Sequence, residues 1–190
     1  MPCKQILSLT LLVILMALPC HGQAANRVAL VIGNSGYESS PLKNPANDAV
    51  DMAQALGQLG FEVILKTDVN KRDMIDAFDE LNQKLKGAEA GLFFYAGHGM
   101  QVNGRNYLIP VDVQVSRERD VEFEAVDAER LLAAMEDAGA PVNIVILDAC
   151  RDNPFQRSFR SSTRGLAVMQ SVKGSFIAYA TSPGDVAHDG

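Results

Sequence analysis

The chain has 190 residues, a net charge of −6 at neutral pH and only 6% aromatic residues. Nucleic-acid binding requires basic patches, so this acidic composition predicts that the protein does not bind nucleic acid. The length suits one domain with a hydrophobic core of its own.

The first 24 residues have the pattern of a secretory signal peptide. Lys4 gives a positive start, residues 6–18 are almost wholly apolar, and Gly22 and Ala24 are small residues before a cleavage point. The apolar stretch is shorter than the roughly 20 residues that a membrane span needs. We therefore expect a secreted or periplasmic protein without a membrane span after signal removal. The mature domain would cover residues 25–190, and a retained anchor is the alternative.

Patterns typical of strands and helices alternate along the mature chain. Strands are predicted at residues 28–32, 61–66, 91–96, 142–147 and 175–180, and helices at 44–59, 70–85 and 127–135. Asn44 would cap the first helix, either Asp68 or Asn70 the second, and Asp127 the third. Asn103-Gly104 predicts a hairpin turn. Residues 155–163 are polar and basic and indicate an exposed loop. The alternation predicts an α/β fold with a mostly parallel sheet, in which ligands bind at the carboxyl ends of the strands.

Two chemically reactive residues follow predicted strands. Cys3 and Cys20 lie in the signal, so Cys150 is the one cysteine of the mature domain and cannot form an internal disulfide. Cys150 follows the fourth strand, and His98 follows the third between two glycines. Each alone is more often structural than catalytic. As a pair at one sheet edge they predict a dyad, because a thiol needs a neighbouring base and histidine titrates near neutral pH.

Three segments around these residues resemble the caspase superfamily. They are Arg27–Asn34, Phe94–Gly99 and Leu147–Cys150. The histidine precedes the cysteine by about 50 residues, as in caspases, and the continuation to Pro154 resembles the bacterial caspase-like and metacaspase branch. The resemblance implies a caspase-like three-layer sandwich and cysteine endopeptidase activity. Cys150 would be the nucleophile, His98 the general base, and the backbone N–H groups of Gly99 and Cys150 the oxyanion hole.

The same resemblance implies a preference for basic substrates. Asp148 occupies a position where animal caspases carry glutamine, Asp48 matches an acidic pocket residue of metacaspases, and Asp189 falls where caspases place an arginine. Three acidic side chains in one pocket would suit arginine or lysine before the scissile bond, because a buried charge must be paired. For Asp48 the alternative is a favourable interaction with a helix dipole.

The sequence leaves alternatives for the cofactor, for the completeness of the domain and for its catalytic activity. The chemistry requires no cofactor, but some metacaspases use calcium, and Asp112, Asp120 and Asp127 offer carboxylates that otherwise only face solvent. The family domain normally continues with a further strand and helix, so we expect this chain to be a truncated domain. An inactive caspase-like scaffold serving as an interaction module, or an unrelated doubly wound binding domain with an inert Cys150, remain alternatives. The sequence does not indicate an oligomeric state.

Overall fold

The computed structural model describes residues 26–150, 165–170 and 174–180, with Cys150 described by its backbone alone. The predicted signal peptide, the basic loop at 155–163 and Asp189 lie outside the described residues. Within the described ranges, no helix is both long enough and apolar enough to cross a membrane.

Strands and helices alternate in the order that the sequence predicts. The strands are β1 (Arg27–Gly33), β2 (Phe61–Thr67), β3 (Ala90–Val102), β4 (Arg105–Leu108), β5 (Val126–Asp127), β6 (Val142–Cys150) and β7 (Ser175–Tyr179). The helices are α1 (Pro45–Gln58), α2 (Lys71–Leu85), α3 (Val121–Glu124) and α4 (Ala128–Asp137), and Glu118–Asp120 forms a 3-10 turn.

The strands of the described chain form one sheet with a parallel body and an antiparallel extension. In the body, the spatial order is β2, β1, β3, β6, β7, and every neighbouring pair is parallel. The second half of β3 leaves this body and pairs antiparallel with β4, which in turn pairs with β5. The mostly parallel sheet of the sequence prediction is therefore confirmed.

Helices cover both faces of the sheet. One apolar cluster joins β1, β3 and β6 to α2 and α4, and a second cluster joins the opposite face to α1. The approach of α1 is close at Gly33, where a Cβ atom would lie only 2.2 Å from the carbonyl oxygen of Pro45. Glycine at this position lets the first turn of α1 lie directly against the end of β1.

The helix starts follow the predicted capping residues in two cases. The Asn70 side chain accepts a hydrogen bond from the Asp73 N–H at 2.8 Å, and Asp127 accepts one from the Glu129 N–H at 2.9 Å. Asn44 precedes α1 as expected, but its side chain makes no capping hydrogen bond there. Asp68, the alternative cap of α2, binds a different part of the chain, described below.

Two strands extend further than the sequence predicts. We expected β3 to end at Ala96 and β6 at Leu147, with His98 and Cys150 in the loops beyond. Both residues instead lie within strands, because β3 continues to Val102 and β6 to Cys150. The continuation of β3 is stabilised by its hairpin with β4, whose predicted turn at Asn103-Gly104 is confirmed by positive φ angles of 51° and 79°.

Candidate active site

His98 and Cys150 are direct neighbours across two adjacent parallel strands. In the register of β3 and β6, His98 is the partner of Cys150, and Gly97 is the partner of Ala149. Neighbouring strands are about 4.8 Å apart. The two residues that the sequence singles out, 52 positions apart in the chain, therefore meet at the same level of the sheet.

The imidazole of His98 is buried and held by the loop that follows β1. Its exposed fraction is 5%, and its Nε2 atom lies 2.7 Å from the carbonyl oxygen of Ser40. A carbonyl oxygen can only accept a hydrogen bond, so Nε2 carries the hydrogen and Nδ1 holds the lone pair of the neutral ring. The ring of Tyr37 lies against the imidazole with a centroid distance of 4.4 Å.

The backbone of His98 is held by two buried tyrosines and by the chain after β4. Its N–H donates to the Tyr37 hydroxyl at 3.0 Å. Its carbonyl accepts from the Tyr95 hydroxyl at 2.8 Å and from the Ile109 N–H at 3.0 Å. Both peptide groups of this residue thus have defined partners away from the neighbouring strand β6.

Gly99 lies in close contact with the strand that carries Cys150. A Cβ atom at this position would come within 2.8 Å of the Ala149 Cβ and 3.3 Å of a methyl group of Leu166. Gly99 is opposite Leu108 in the β3–β4 hairpin, flanked by the bond from the Ile109 N–H to the His98 carbonyl. In such a pair the Gly99 N–H points away from β4.

Two of the three predicted pocket carboxylates lie near each other. Asp148 is partly buried on β6, and burial, followed by the charge of Asp48, raises the pKa of its carboxyl above the ordinary value. Asp48 is exposed in the first turn of α1. The electrostatic effect of one carboxylate on the other shows that α1 and β6 bring these acids to the same region, while Asp189 lies outside the described residues.

The carboxylates considered for calcium have protein partners. Asp112 accepts the N–H of Lys71 at 3.1 Å, and Asp127 caps α4 and forms an ion pair with Arg105. Within residues 26–149, 165–170 and 174–180, no group of three or more His, Cys, Asp or Glu side chains could hold a metal ion. Calcium activation, suggested by the family resemblance, stays a prediction.

A separate groove lies between α2, α4 and the β4–β5 region. Its volume is about 670 Å³, and its lining includes Ile75 and Phe123, which are 42% and 68% exposed. Neither His98 nor the acidic pair belongs to the lining. Its size alone would favour this groove as a binding site, but the described residues that are predicted to catalyse the reaction and to bind the substrate do not line it.

Sequence reasoning missed the residues that hold His98. Ser40 acts through its backbone carbonyl, which leaves no mark in the sequence. Tyr95 lies in the continuous apolar run at residues 91–96, a pattern that indicates a buried strand but not a hydrogen bond to the His98 carbonyl. Tyr37 lies in a loop, and its position four residues after Gly33 at the sheet edge was the only available signal.

Comparison with known proteins links this arrangement to one family. Residues 26–190 match the family model described as the caspase domain. The human mucosa-associated lymphoid tissue lymphoma translocation protein 1 is 28% identical over 172 residues, which cover 88% of this chain and 20% of that protein. Its mouse homologue matches with the same identity and coverage. The chain therefore spans about a fifth of the length of these relatives.

Solved structures share the fold at low sequence identity. The Drosophila initiator caspase Dronc superposes with a TM-score of 0.59 at 15% identity, covering 85% of this chain and 57% of that one. A Geobacter sulfurreducens protein superposes with a TM-score of 0.52 at 21% identity, covering 67% of this chain and 51% of that one. These likenesses support the caspase-like sandwich.

Proposed function

The chain belongs to the caspase-domain family, a family of cysteine proteases, and on this premise we propose that it is a cysteine endopeptidase with Cys150 as nucleophile and His98 as general base. The observation that carries the proposal is the strand register, in which His98 and Cys150 are partners on β3 and β6. A nucleophile and its base must lie within hydrogen-bond reach, and the strand spacing of about 4.8 Å between register partners is compatible with that requirement.

The tautomer of His98 supports its role as the base. The Ser40 carbonyl accepts the Nε2 hydrogen, so Nδ1 is the basic nitrogen of this tautomer and the atom that would remove the thiol proton. The same carbonyl dipole stabilises the imidazolium that forms. The thiolate attacks the peptide carbonyl carbon, the C–N bond breaks, and the imidazolium returns its proton to the leaving amine. Water, deprotonated by His98, then hydrolyses the thioester and regenerates the thiol.

We assign the oxyanion hole to the backbone N–H groups of Gly99 and Cys150. The direction of the Gly99 N–H, away from β4, is compatible with this role. Losing one donor of this kind typically lowers the rate by about 10²–10³. Because the donors are backbone groups, the assignment depends on the spacing of β3 and β6 rather than on a side chain.

We further propose that Asp48 and Asp148 select arginine or lysine before the scissile bond. Burial of Asp148, followed by repulsion from Asp48, raises the pKa of the Asp148 carboxyl. A guanidinium or ammonium group would relieve that repulsion, whereas an acidic side chain would increase it. The preference would be strongest above the raised pKa, where both carboxylates are charged. Asp189 belongs to the proposed pocket by family resemblance alone.

The test uses the single thiol of the mature domain. The rate at which iodoacetamide alkylates the chain of residues 25–190, measured as a function of pH, reports the pKa of the Cys150 thiol directly. The variant Cys150→Ala shows whether any other group reacts. An ordinary thiol titrates at about 8.5. We expect the wild-type profile to titrate clearly lower, and His98→Ala to return it to about 8.5. A wild-type profile already at 8.5, with no hydrolysis of peptides, would leave the inactive scaffold as the better interpretation.

Specificity is tested on fluorogenic peptides that differ only in the residue before the scissile bond. We expect cleavage after arginine and lysine and none after aspartate. Asp48→Asn and Asp148→Asn should each lower kcat/KM for arginyl peptides, by as much as about 2 kcal/mol for the partly buried Asp148. Asp51→Asn, an exposed carboxylate on the same helix, is the matched control. Preference for aspartyl peptides would refute the assigned pocket.

A further inference from the structure

The loop between β1 and α1 contacts His98 at both its backbone and its ring. Within residues 35–40 of this loop, Tyr37 provides a hydroxyl for the His98 N–H and an aromatic face for the imidazole, and Ser40 provides the carbonyl for Nε2. The loop comes from the opposite side of β3 from Cys150, since β1 and β6 flank β3. It can therefore fix His98 without occupying the side of β3 on which β6 lies.

The Tyr37 hydroxyl links three parts of the chain. It accepts from the His98 N–H at 3.0 Å and lies 3.0 Å from the Ile109 carbonyl and 3.2 Å from the Tyr95 hydroxyl. Burial raises the pKa of Tyr37 to about 12, so the hydroxyl keeps its proton at neutral pH and can donate while it accepts. Asn34 also donates to the Ile109 carbonyl, at 3.2 Å. These groups form one buried polar network behind His98.

Gly97 makes room for the two hydroxyl groups. A Cβ atom there would lie 2.7 Å from the Tyr37 hydroxyl and 2.8 Å from the Tyr95 hydroxyl. A side chain at this position would displace both tyrosines from the peptide groups of His98. The absence of a side chain before His98 is thus part of the same arrangement.

Asp68 anchors the loop that carries Tyr37. Its Oδ1 atom accepts the N–H of Ser35 at 2.7 Å and of Gly36 at 2.8 Å. Asp68 adopts a φ angle of +51°, in the left-handed region that is uncommon for residues other than glycine. Gly36 faces the carboxylate so closely that a Cβ atom would lie 3.3 Å from its carbon. Asp68 therefore fixes the start of the loop two residues before Tyr37.

We propose that Tyr37 is a positioning residue for His98: its hydroxyl fixes the His98 backbone, its ring fixes the imidazole, and Asp68 fixes Tyr37. This rests on the proposed function, in which His98 is the base. Removing the Tyr37 hydroxyl leaves the His98 N–H buried without its acceptor. The His98 backbone would then shift, and the imidazole would lose the alignment of its Nε2 with the Ser40 carbonyl. Proton transfer should suffer while substrate binding, which depends on other residues, should not.

The kinetic test compares Tyr37→Phe with Tyr107→Phe in the mature chain. Tyr107 is a buried tyrosine in the hairpin region, so it controls for the loss of one hydroxyl in the same protein. We expect Tyr37→Phe to lower kcat on arginyl peptides by about 10- to 100-fold, the range expected when a buried N–H loses its partner. KM should stay within about twofold, and Tyr107→Phe should retain wild-type kcat.

A second variant and a double mutant separate positioning from general stability. Asp68→Ala, which releases the loop but keeps Tyr37, should also lower kcat with little change in KM. In the His98→Ala background, Tyr37→Phe should cause no further loss of residual hydrolysis, because residues that act through one group are not additive. A further loss there, or a KM effect as large as the kcat effect, would overturn the proposal.

A spectroscopic test does not depend on peptidase activity. With ¹⁵N-labelled histidine, the mature domain gives two imidazole signals, from His98 and His188, and His98→Ala identifies the first. We expect the Nε2–H tautomer for His98 in the wild type and a mixture in Tyr37→Phe. If Cys150 proves unreactive, the proposed function fails, and this tautomer shift alone supports positioning. An unchanged tautomer together with an unchanged kcat would refute positioning while leaving the peptidase proposal intact.

Discussion

Glu129 should make the stability of the fold depend on pH near neutrality. Its carboxylate lies partly buried at the start of α4 and accepts the Asn106 N–H at 3.1 and 3.2 Å. Burial, followed by the contact with Asp127, raises the pKa of Glu129 from 4.5 to about 7. The folded protein therefore binds a proton more tightly here than the unfolded chain does. The stabilisation is complete below pH 4.5 and is lost as the pH rises to about 7.

The size of the effect follows from the two pKa values. The full difference between the two pKa values corresponds to about 3 kcal/mol at most, but water screens a half-exposed carboxyl, so we expect about 1–2 kcal/mol. Glu129→Gln keeps an oxygen for the Asn106 N–H and can donate to Asp127. The variant should match wild type at about pH 4, below the ordinary pKa, and exceed its free energy of unfolding by about 1–2 kcal/mol at pH 8.

Urea unfolding at about pH 4, 5, 6, 7 and 8 measures the difference in free energy of unfolding between the two proteins, which removes the contributions of all other titrating groups. Glu124→Gln, an exposed glutamate on α3, serves as the control and should run parallel to wild type. If the difference between Glu129→Gln and wild type is the same at every pH, Glu129 does not titrate with a raised pKa and the reasoning is wrong.

Four further variants test packing, hydrogen bonding and charge. Gly99→Ala should abolish peptide hydrolysis, since its Cβ would lie 2.8 Å from that of Ala149 and separate β3 from β6. Gly57→Ala places its Cβ where, apart from the adjacent helix backbone, no atom of the described chain lies within 4 Å. It should therefore raise the free energy of unfolding by about 0.5–1 kcal/mol, as measured by urea unfolding. Asn106→Ala removes both hydrogen bonds between its side chain and the Ala167 backbone, at 2.9 and 2.7 Å, and should speed hydrogen exchange at residues 165–170 more than elsewhere. Asp148→Asn should flatten the acid side of the kcat/KM profile on arginyl peptides, because the carboxyl with the raised pKa no longer titrates; an unchanged profile would remove Asp148 from the pocket.

The spacing of apolar residues and the positions of capping and turn residues predict the architecture of the sheet and helices well. Continuous apolar runs such as residues 91–96 are typical of strands buried on both faces, and the parallel body of the sheet confirms that interpretation. Asn70 and Asp127 cap the helices that they were predicted to cap. These signals depend on residues close together in the chain, so they hold regardless of the long-range contacts of the fold.

Long-range contacts account for the differences. Gly97 and Gly99 suggested the end of a strand, but hairpin pairing with β4 carries β3 through them to Val102. Asp68 is of a residue type that often caps helices. Its carboxylate instead accepts hydrogen bonds from the N–H groups of Ser35 and Gly36, more than 30 positions earlier in the chain. A single sequence does not reveal which of two backbone groups a carboxylate will choose, because the choice depends on tertiary proximity.

The two halves of the candidate site differ in how they are fixed before any substrate binds. His98 donates hydrogen bonds to the Tyr37 hydroxyl and the Ser40 carbonyl and accepts one from the Tyr95 hydroxyl, and these bonds set its backbone and its tautomer within a buried network. The acidic pair differs, because burial, followed by the charge of Asp48, raises the pKa of the Asp148 carboxyl. Preorganised dipoles lower the barrier of a chemical step, whereas repulsion between two carboxylates favours the entry of a cation. The proposed base is therefore fixed before binding, and the proposed pocket gains its most favourable arrangement only when a basic side chain occupies it.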